Sequence, residues 1–171
     1  PIGSGLGTSA AMNVAFLSAI AGDGKSPDEI AELAFQFEAL LGNTGGRQDQ
    51  WASAFGGFQH LRFVGDKVIS KQLNPSSKFI DDLERNLLLF DSGITHVSGD
   101  LHDSVWQRYA NGDKDIPEAL RRIRHMAQEM VVAIESENIP GVGISLFRTT
   151  KSVDLLDKAF DEPFRRVLKP L

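Results

Sequence analysis

The sequence contains no cysteine at all. That absence excludes disulfides, thiol nucleophiles and cysteine-based metal sites, and it is typical of a cytoplasmic protein. No apolar run reaches the roughly 18 residues that a membrane helix needs, and no signal peptide is visible. We therefore expect a cytoplasmic protein that does not use a membrane as a partner.

A basic stripe is also missing. Acidic and basic side chains are interspersed along the 171 residues, and the formal net charge is −5. Nucleic acid is therefore not an expected partner. The composition, 42% hydrophobic and 24% charged, is that of a globular protein and excludes a disordered chain. The length of 171 residues suffices for a domain with its own hydrophobic core.

The order of predicted elements is two helices, then strands, then mainly helices. A helix from Thr8 to Ala21 is rich in small and apolar residues, and we expect it to be largely buried. A second helix starts with a capping box formed by Ser26 and Glu29 around Pro27, and the run ends at Gly42. This order indicates an α+β fold rather than a regular series of βαβ units.

Shorter patterns predict the remaining elements. The residues Asp115 and Glu118 predict a capping box for a long helix whose apolar face starts at Leu120. The other predicted elements are a short helix over 48–54, a hairpin of strands 58–63 and 67–73, a strand over 86–90, and helices over 104–112 and 153–167.

The glycine-rich run from Pro1 to Ala10 is the most informative stretch, with glycines alternating at 3, 5 and 7. Glycine lets the backbone approach a ligand closely or take a positive φ. Because a helix starts at once, amide groups and the positive helix end converge on a site best filled by phosphate. The lack of a lysine in this run excludes a Walker loop, and the Gly-x-Gly-x-Gly spacing excludes the dinucleotide fingerprint. The alternative is a turn that merely links a strand to a helix.

This run resembles the second motif of the GHMP kinase family, whose usual form is Pro-x-x-x-Gly-Leu-Gly-Ser-Ser-Ala. Thr8 replaces the first serine and keeps a hydroxyl group. The resemblance implies a GHMP kinase-like fold in which the loop cradles the phosphates of ATP. The loop residues implied are Gly3, Ser4, Gly5, Leu6, Gly7, Thr8 and Ser9.

Two carboxylates follow the loop, Glu38 on the second predicted helix and Asp49 beyond a glycine-containing loop. Phosphoryl transfer needs one carboxylate for magnesium and another that receives or orients the proton of the attacking hydroxyl. The resemblance implies that Ser9 and Glu38 hold Mg2+ and that Asp49 is the catalytic residue, acting as base or as orienting group. Taken singly, Glu38 could be a solvated helix charge and Asp49 a helix cap.

Two runs, Gly46–Gln50 and Ala54–Phe58, resemble the heptose 7-phosphate kinase branch of the family and its fucokinase-like relatives. A bidentate guanidinium at Arg47 could pair with a sugar phosphate, although pairing with a nearby carboxylate is an equal alternative. The implied activity is ATP-dependent phosphorylation of a sugar or sugar-phosphate hydroxyl. The alternative is a non-catalytic relative that binds a sugar or nucleotide. The implied substrate-binding residues are Gly45, Gly46, Arg47 and Gln48.

The chain starts without Met, inside the glycine-rich loop, so we interpret residues 1–171 as an internal fragment of a GHMP-type kinase. We expect residues 1–75 to hold the phosphate-loop, metal and base residues. Residues 76–171 should begin the C-terminal α+β region. The family's upstream and downstream motifs are missing, so activity is expected of the full-length protein rather than of the fragment.

Overall fold

A computed structural model describes residues 5–42, 45–89 and 98–156. The chain divides into two compact units, Pro1–Leu73 with Thr95–Gly99 and Asn74–Ile94 with Asp100–Leu171. Helices dominate and a small two-stranded sheet accompanies them, which confirms the predicted α+β class. Among the described helices, none has the length and apolar character needed to span a bilayer.

Within residues 5–42 and 45–73, the first unit contains three helices and a hairpin. Its helices pack on one another around the buried side chains of Val14, Ile30 and Ala34, with Leu17 and Ala54 at the edge of this core. The elements are α1 (Thr8–Ala21), α2 (Pro27–Leu40), α3 (Gln48–Phe55), β1 (Phe58–Val64) and β2 (Lys67–Leu73).

Helix α2 begins as its sequence predicts. The N–H group and the hydroxyl of Ser26 donate to Oε2 of Glu29 at 2.8 and 2.9 Å, and Pro27 occupies the first turn. The backbone hydrogen bond, then the hydroxyl one, hold the pKa of Glu29 below its usual value. At the opposite end of the helix, the N–H groups of Leu41 and Gly42 donate to carbonyls of the last turn, and Gly42 takes a positive φ of 86°.

Helix α1 is less buried than predicted. Ala10 and Val14 are buried, whereas Met12, Phe16 and Ile20 are each more than half exposed. These three residues recur every fourth position and define a second apolar face. Because apolar residues lie on every side of this helix, its sequence does not indicate which face is buried.

The hairpin forms from the two predicted strands. β1 and β2 pair antiparallel from Phe58 opposite Leu73 to Val64 opposite Lys67. The two-residue connection starts with Gly65, whose φ of 58° suits the tight turn that joins twisted strands.

After Leu73, the described residues form helices: α4 (Ser77–Asn86), α5 (Ser98–Ala110), α6 (Asp115–Glu135) and α7 (Ile139–Val153). The long helices α6 and α7 are sequential and pack against each other. The carboxylate of Glu137, between them, accepts hydrogen bonds from the N–H and hydroxyl of Ser76 at 2.8 and 2.9 Å. Ser76 in turn caps α4 by accepting from the N–H of Phe79.

The strand predicted over 86–90 is wrong. Asn86 is the last residue of α4, residues 87–89 carry no regular structure and are exposed, and Phe90 lies outside the described residues. The predicted helix 153–167 coincides with α7 only at Val153, and residues beyond 156 are not described. Helix α7 itself was not predicted, because its glycines and Pro140 weaken the helical pattern.

The capping box predicted at the start of α6 is also wrong. Lys114 is the N-cap, and the N–H of Asp115 donates to Oδ1 of Asp113 at 2.9 Å. Glu118 accepts instead from the guanidinium groups of Arg121 and Arg122. The apolar face is rotated from the predicted one, with these residues buried: Ile116, Ala119, Met126, Ala133 and Ile134.

Candidate active site

The glycine-rich loop leads directly into α1. Gly5 and Gly7 take positive φ values of 72° and 68°, a conformation in which glycine is the favoured residue. Gly7 is the N-cap, and its carbonyl accepts the first intrahelical bond, from the N–H of Ala11 at 3.0 Å. The amides of residues 8–10 therefore precede the helical ladder and can bind an anion. Gly3 and Ser4 lie outside the described residues.

Asp49 lies against this loop. A β-carbon placed on Gly7 would be 3.3 Å from Cγ and 3.5 Å from Oδ2 of Asp49, so the backbone and the carboxyl group are in close contact. Arg47 is the N-cap of α3, and Asp49 therefore sits inside the first turn of that helix rather than at its cap. The hypothesis that Asp49 is the cap residue of the short helix is thus wrong.

Glu38 is a buried carboxylate, with only 6% of its surface exposed. It lies on the packed face of α2, and its Oε1 accepts a hydrogen bond from Nδ2 of Asn13 on α1 at 2.9 Å. Glutamate is rarely buried unless it is paired, because desolvation of a charge is costly. Glu38 is therefore not the solvated helix charge that its sequence position alone could suggest.

The negative charge of Glu38 acts on the carboxyl group of Asp49. Asp49 as a whole residue is exposed, yet its carboxyl group is partly desolvated. This desolvation, and secondly the negative charge of Glu38, raise the pKa of Asp49 above its ordinary value. Two neighbouring, partly desolvated carboxylates favour the binding of a cation, because its positive charge would offset their repulsion.

The donor set fits magnesium bound together with phosphates. Among the residues that the structure describes, no group of three or more His, Cys, Asp or Glu side chains could hold a metal ion. Magnesium does not require one, since it commonly binds through one or two carboxylates, substrate phosphates and water. Ser9, one turn before Asn13 on the same face of α1, adds a hydroxyl on the side of the helix that meets Glu38.

Arg47 is already paired. Its Nε lies 3.2 Å from Oε2 of Glu32, and its guanidinium stacks 4.3 Å from the centre of the Phe35 ring. The alternative in which Arg47 pairs with a nearby carboxylate is therefore the arrangement observed. Of its predicted neighbours in the substrate site, Gly46 and Gln48 are exposed and Gly45 is half-buried.

The sequence did not identify the partners of two predicted site residues, Asn13 for Glu38 and Glu32 for Arg47. Asn13 did carry a signal, because it is a polar residue one turn after Ser9 in an otherwise small and apolar segment. Glu32 carried none, since one more charge on the polar side of α2 is ordinary.

A glycine-rich helix start beside two neighbouring carboxylates is typical of enzymes that handle phosphates with a divalent cation. Residues 1–57 match the family model described as GHMP kinases N terminal domain. This part of the chain therefore belongs to the GHMP kinase family, which confirms the resemblance found in the motif.

Two curated relatives agree with the predicted branch. The chain is 34% identical over 139 residues to the D-glycero-alpha-D-manno-heptose 7-phosphate kinase of Campylobacter jejuni subsp. jejuni serotype O:2, a match over 78% of this chain and 40% of the relative. It is 27% identical over 176 residues to the bifunctional fucokinase/GDP-fucose pyrophosphorylase of Arabidopsis thaliana, covering 94% of this chain and 17% of that protein. The chain thus spans less than half the length of either relative.

Proposed function

We propose that the protein transfers the terminal phosphate of ATP to a hydroxyl group of a sugar or sugar phosphate, in a reaction like that of heptose 7-phosphate kinases. The observation that carries the proposal is the contact of Gly7 with the carboxyl group of Asp49, next to the buried Glu38. Phosphoryl transfer needs a phosphate cradle, a metal ligand and a base within reach of one triphosphate.

In this proposal the amides between Gly3 and Ser9 bind the phosphates of ATP, and Ser9 and Glu38 hold Mg2+. When bound, the metal neutralises phosphate charge. Asp49 accepts or orients the proton of the attacking hydroxyl. Its raised pKa suits this role, because a general base works best when its pKa is close to the working pH.

The sugar class is supported by the names of the two relatives, a heptose 7-phosphate kinase and a fucokinase. The substrate-binding residues of the proposal are Gly45, Gly46, Arg47 and Gln48. Arg47 would have to exchange Glu32 for the phosphate of the substrate. Both partners of this ion pair are partly exposed, and such pairs contribute only about 0–1 kcal/mol, so the exchange costs little. The absence of cysteine favours a cytoplasmic location.

The test is a coupled assay for ADP release by the intact protein with Mg-ATP and a panel of sugars and sugar phosphates. We expect turnover with a heptose phosphate or a related sugar, and a raised magnesium requirement in Glu38→Ala. Binding of Mg-ATP without turnover on any acceptor would favour the non-catalytic relative. No thermal protection by Mg-ATP would contradict the phosphate-binding loop itself.

A further inference from the structure

A hydrogen bond between α1 and α2 reaches the carboxylate that the proposed function assigns to magnesium. Nδ2 of Asn13 donates to Oε1 of Glu38 at 2.9 Å, across 25 positions of sequence. We propose that Asn13 is a positioning residue, which fixes the Glu38 carboxylate in the orientation that a divalent cation requires. The inference rests on the proposed function, in which Glu38 is a metal ligand.

The chemical nature of the donor supports this role. A buried carboxylate needs hydrogen bonds, and a lysine or arginine could supply them just as well as an amide. A cationic side chain would also pair with the carboxylate and compete with a metal ion. The neutral amide of Asn13 holds Oε1 of Glu38 but does not itself neutralise the negative charge of the carboxylate. A donor of this kind therefore leaves Glu38 suited to binding a cation.

The position of the bond supports it as well. Asn13 lies one helical turn after Ser9, so a single face of α1 bears the proposed hydroxyl ligand and the amide that holds the proposed carboxylate ligand. The neighbouring contacts of Val14 with Ile30 and Ala34 pack α1 on α2 beside this bond. The separation of the two ligands is therefore set by a packed helix pair rather than by a loop.

Asn13 could orient Glu38 for a metal ion, or it could only supply the hydrogen bond that a buried carboxylate needs. These two roles predict different effects on metal affinity. Partners that orient metal ligands typically change metal affinity by about 10- to 100-fold when they are removed. If Asn13 only satisfied Glu38, its removal would lower the free energy of unfolding and leave metal affinity unchanged. The measurement must therefore separate metal affinity from stability.

The experiment uses the intact protein and titrates Mn2+, followed by electron paramagnetic resonance, in the presence of a non-hydrolysable ATP analogue. We expect Asn13→Ala to weaken Mn2+ binding about tenfold, with the metal-free affinity for the analogue unchanged. Asn13→Gln, which keeps the amide, should recover part of the loss. Ser18→Ala, at an exposed position of the same helix, is the matched control and should behave as the wild type.

Wild-type Mn2+ affinity in Asn13→Ala would overturn the inference, whatever the change in its unfolding midpoint. Glu38→Gln separates this failure from failure of the proposed function. If Glu38→Gln loses Mn2+ while Asn13→Ala keeps it, only the role of Asn13 fails. If both variants keep it, Glu38 is not the metal ligand. Should Asn13→Ala not fold, Asn13→Ser decides by the same titration.

Discussion

A β-carbon on Gly7 would lie 3.3 Å from Cγ of Asp49, so the N-cap of α1 and the first turn of α3 are in direct contact through these two residues. Such a distance is tighter than ordinary van der Waals contact. Gly7 is also in the left-handed region, with a φ of 68°. Glycine is therefore favoured at position 7 for two separate reasons. It adopts a positive φ without strain, and it has no side chain that would crowd the proposed base Asp49.

The two requirements can be separated by substitution. Gly7→Ala and Gly24→Ala both place a side chain at a similar positive φ, but a β-carbon on Gly24 meets nothing within 4 Å. Both variants should lose about 1 kcal/mol of unfolding free energy, measured by chemical denaturation. Only Gly7→Ala should also displace Asp49, and we expect its kcat to fall by about 10- to 100-fold. Equal kcat values in the two variants would contradict the contact.

Removing the proposed base should stop turnover without preventing nucleotide binding. Asp49→Asn keeps the shape of the side chain, and we expect kcat to fall by about 10²- to 10⁴-fold, the usual contribution of a general base. Calorimetric titration with Mg-ATP should still show binding. Asp23→Asn, an exposed aspartate between α1 and α2, is the control. Wild-type turnover in Asp49→Asn would remove Asp49 from the mechanism.

The same substitution should stabilise the metal-free protein. The folded-state pKa of Asp49 lies above its ordinary value, so between those two values the folded state binds more protons than the unfolded state. Stability contributed by protonated Asp49 is therefore lost as the pH rises through the folded pKa. We expect Asp49→Asn to have a higher thermal midpoint than the wild type at pH 7, and the difference to vanish below about pH 3. A lower thermal midpoint of Asp49→Asn than of the wild type at pH 7 would contradict a raised pKa of Asp49.

The ion pair between Arg47 and Glu32 makes a prediction about the sugar site. If Arg47 binds a substrate phosphate, Glu32→Gln should release it and lower the KM for a sugar phosphate by up to about fivefold, the equivalent of an exposed pair. Arg47→Ala should raise that KM and leave the KM for ATP unchanged. Arg62→Ala, an exposed arginine on β1, serves as the control. An unaltered sugar-phosphate KM in Arg47→Ala would leave Arg47 as a purely structural residue.

The first unit could be predicted closely because its boundaries are set by local chemistry. Ser26 and Pro27 start α2, and the glycines at 22 and 56 end α1 and α3. The error at 86–90 has the opposite origin. Three consecutive leucines indicate burial but do not say in which structure, and in the protein Leu88 and Leu89 are exposed. Helix α7 depends on its packing with α6, which overrides the low helix propensity of Gly141.

The candidate site could be predicted only in part, because its local sequence features are readable from the sequence and its tertiary contacts are not. The loop is recognisable from residue type and spacing, and the roles of the two carboxylates are implied by the resemblance to the family. The partners of these residues are not recognisable in the sequence, because Asn13 with Glu38 and Arg47 with Glu32 depend on which helix faces meet. Burial is also a tertiary property, and it changed the interpretation of Glu38 more than that of any other residue.

The alanine at position 34 is fully buried in the contact between α1 and α2. The small side chain of Ala34 therefore contributes to how near the two helix axes come, and through them to how far the short amide of Asn13 has to reach. A valine or leucine there would widen the gap and stretch that bond. If Glu38 holds the metal as proposed, the volume of residue 34 also affects divalent-ion affinity, which restricts side-chain size at a position away from the proposed ligands.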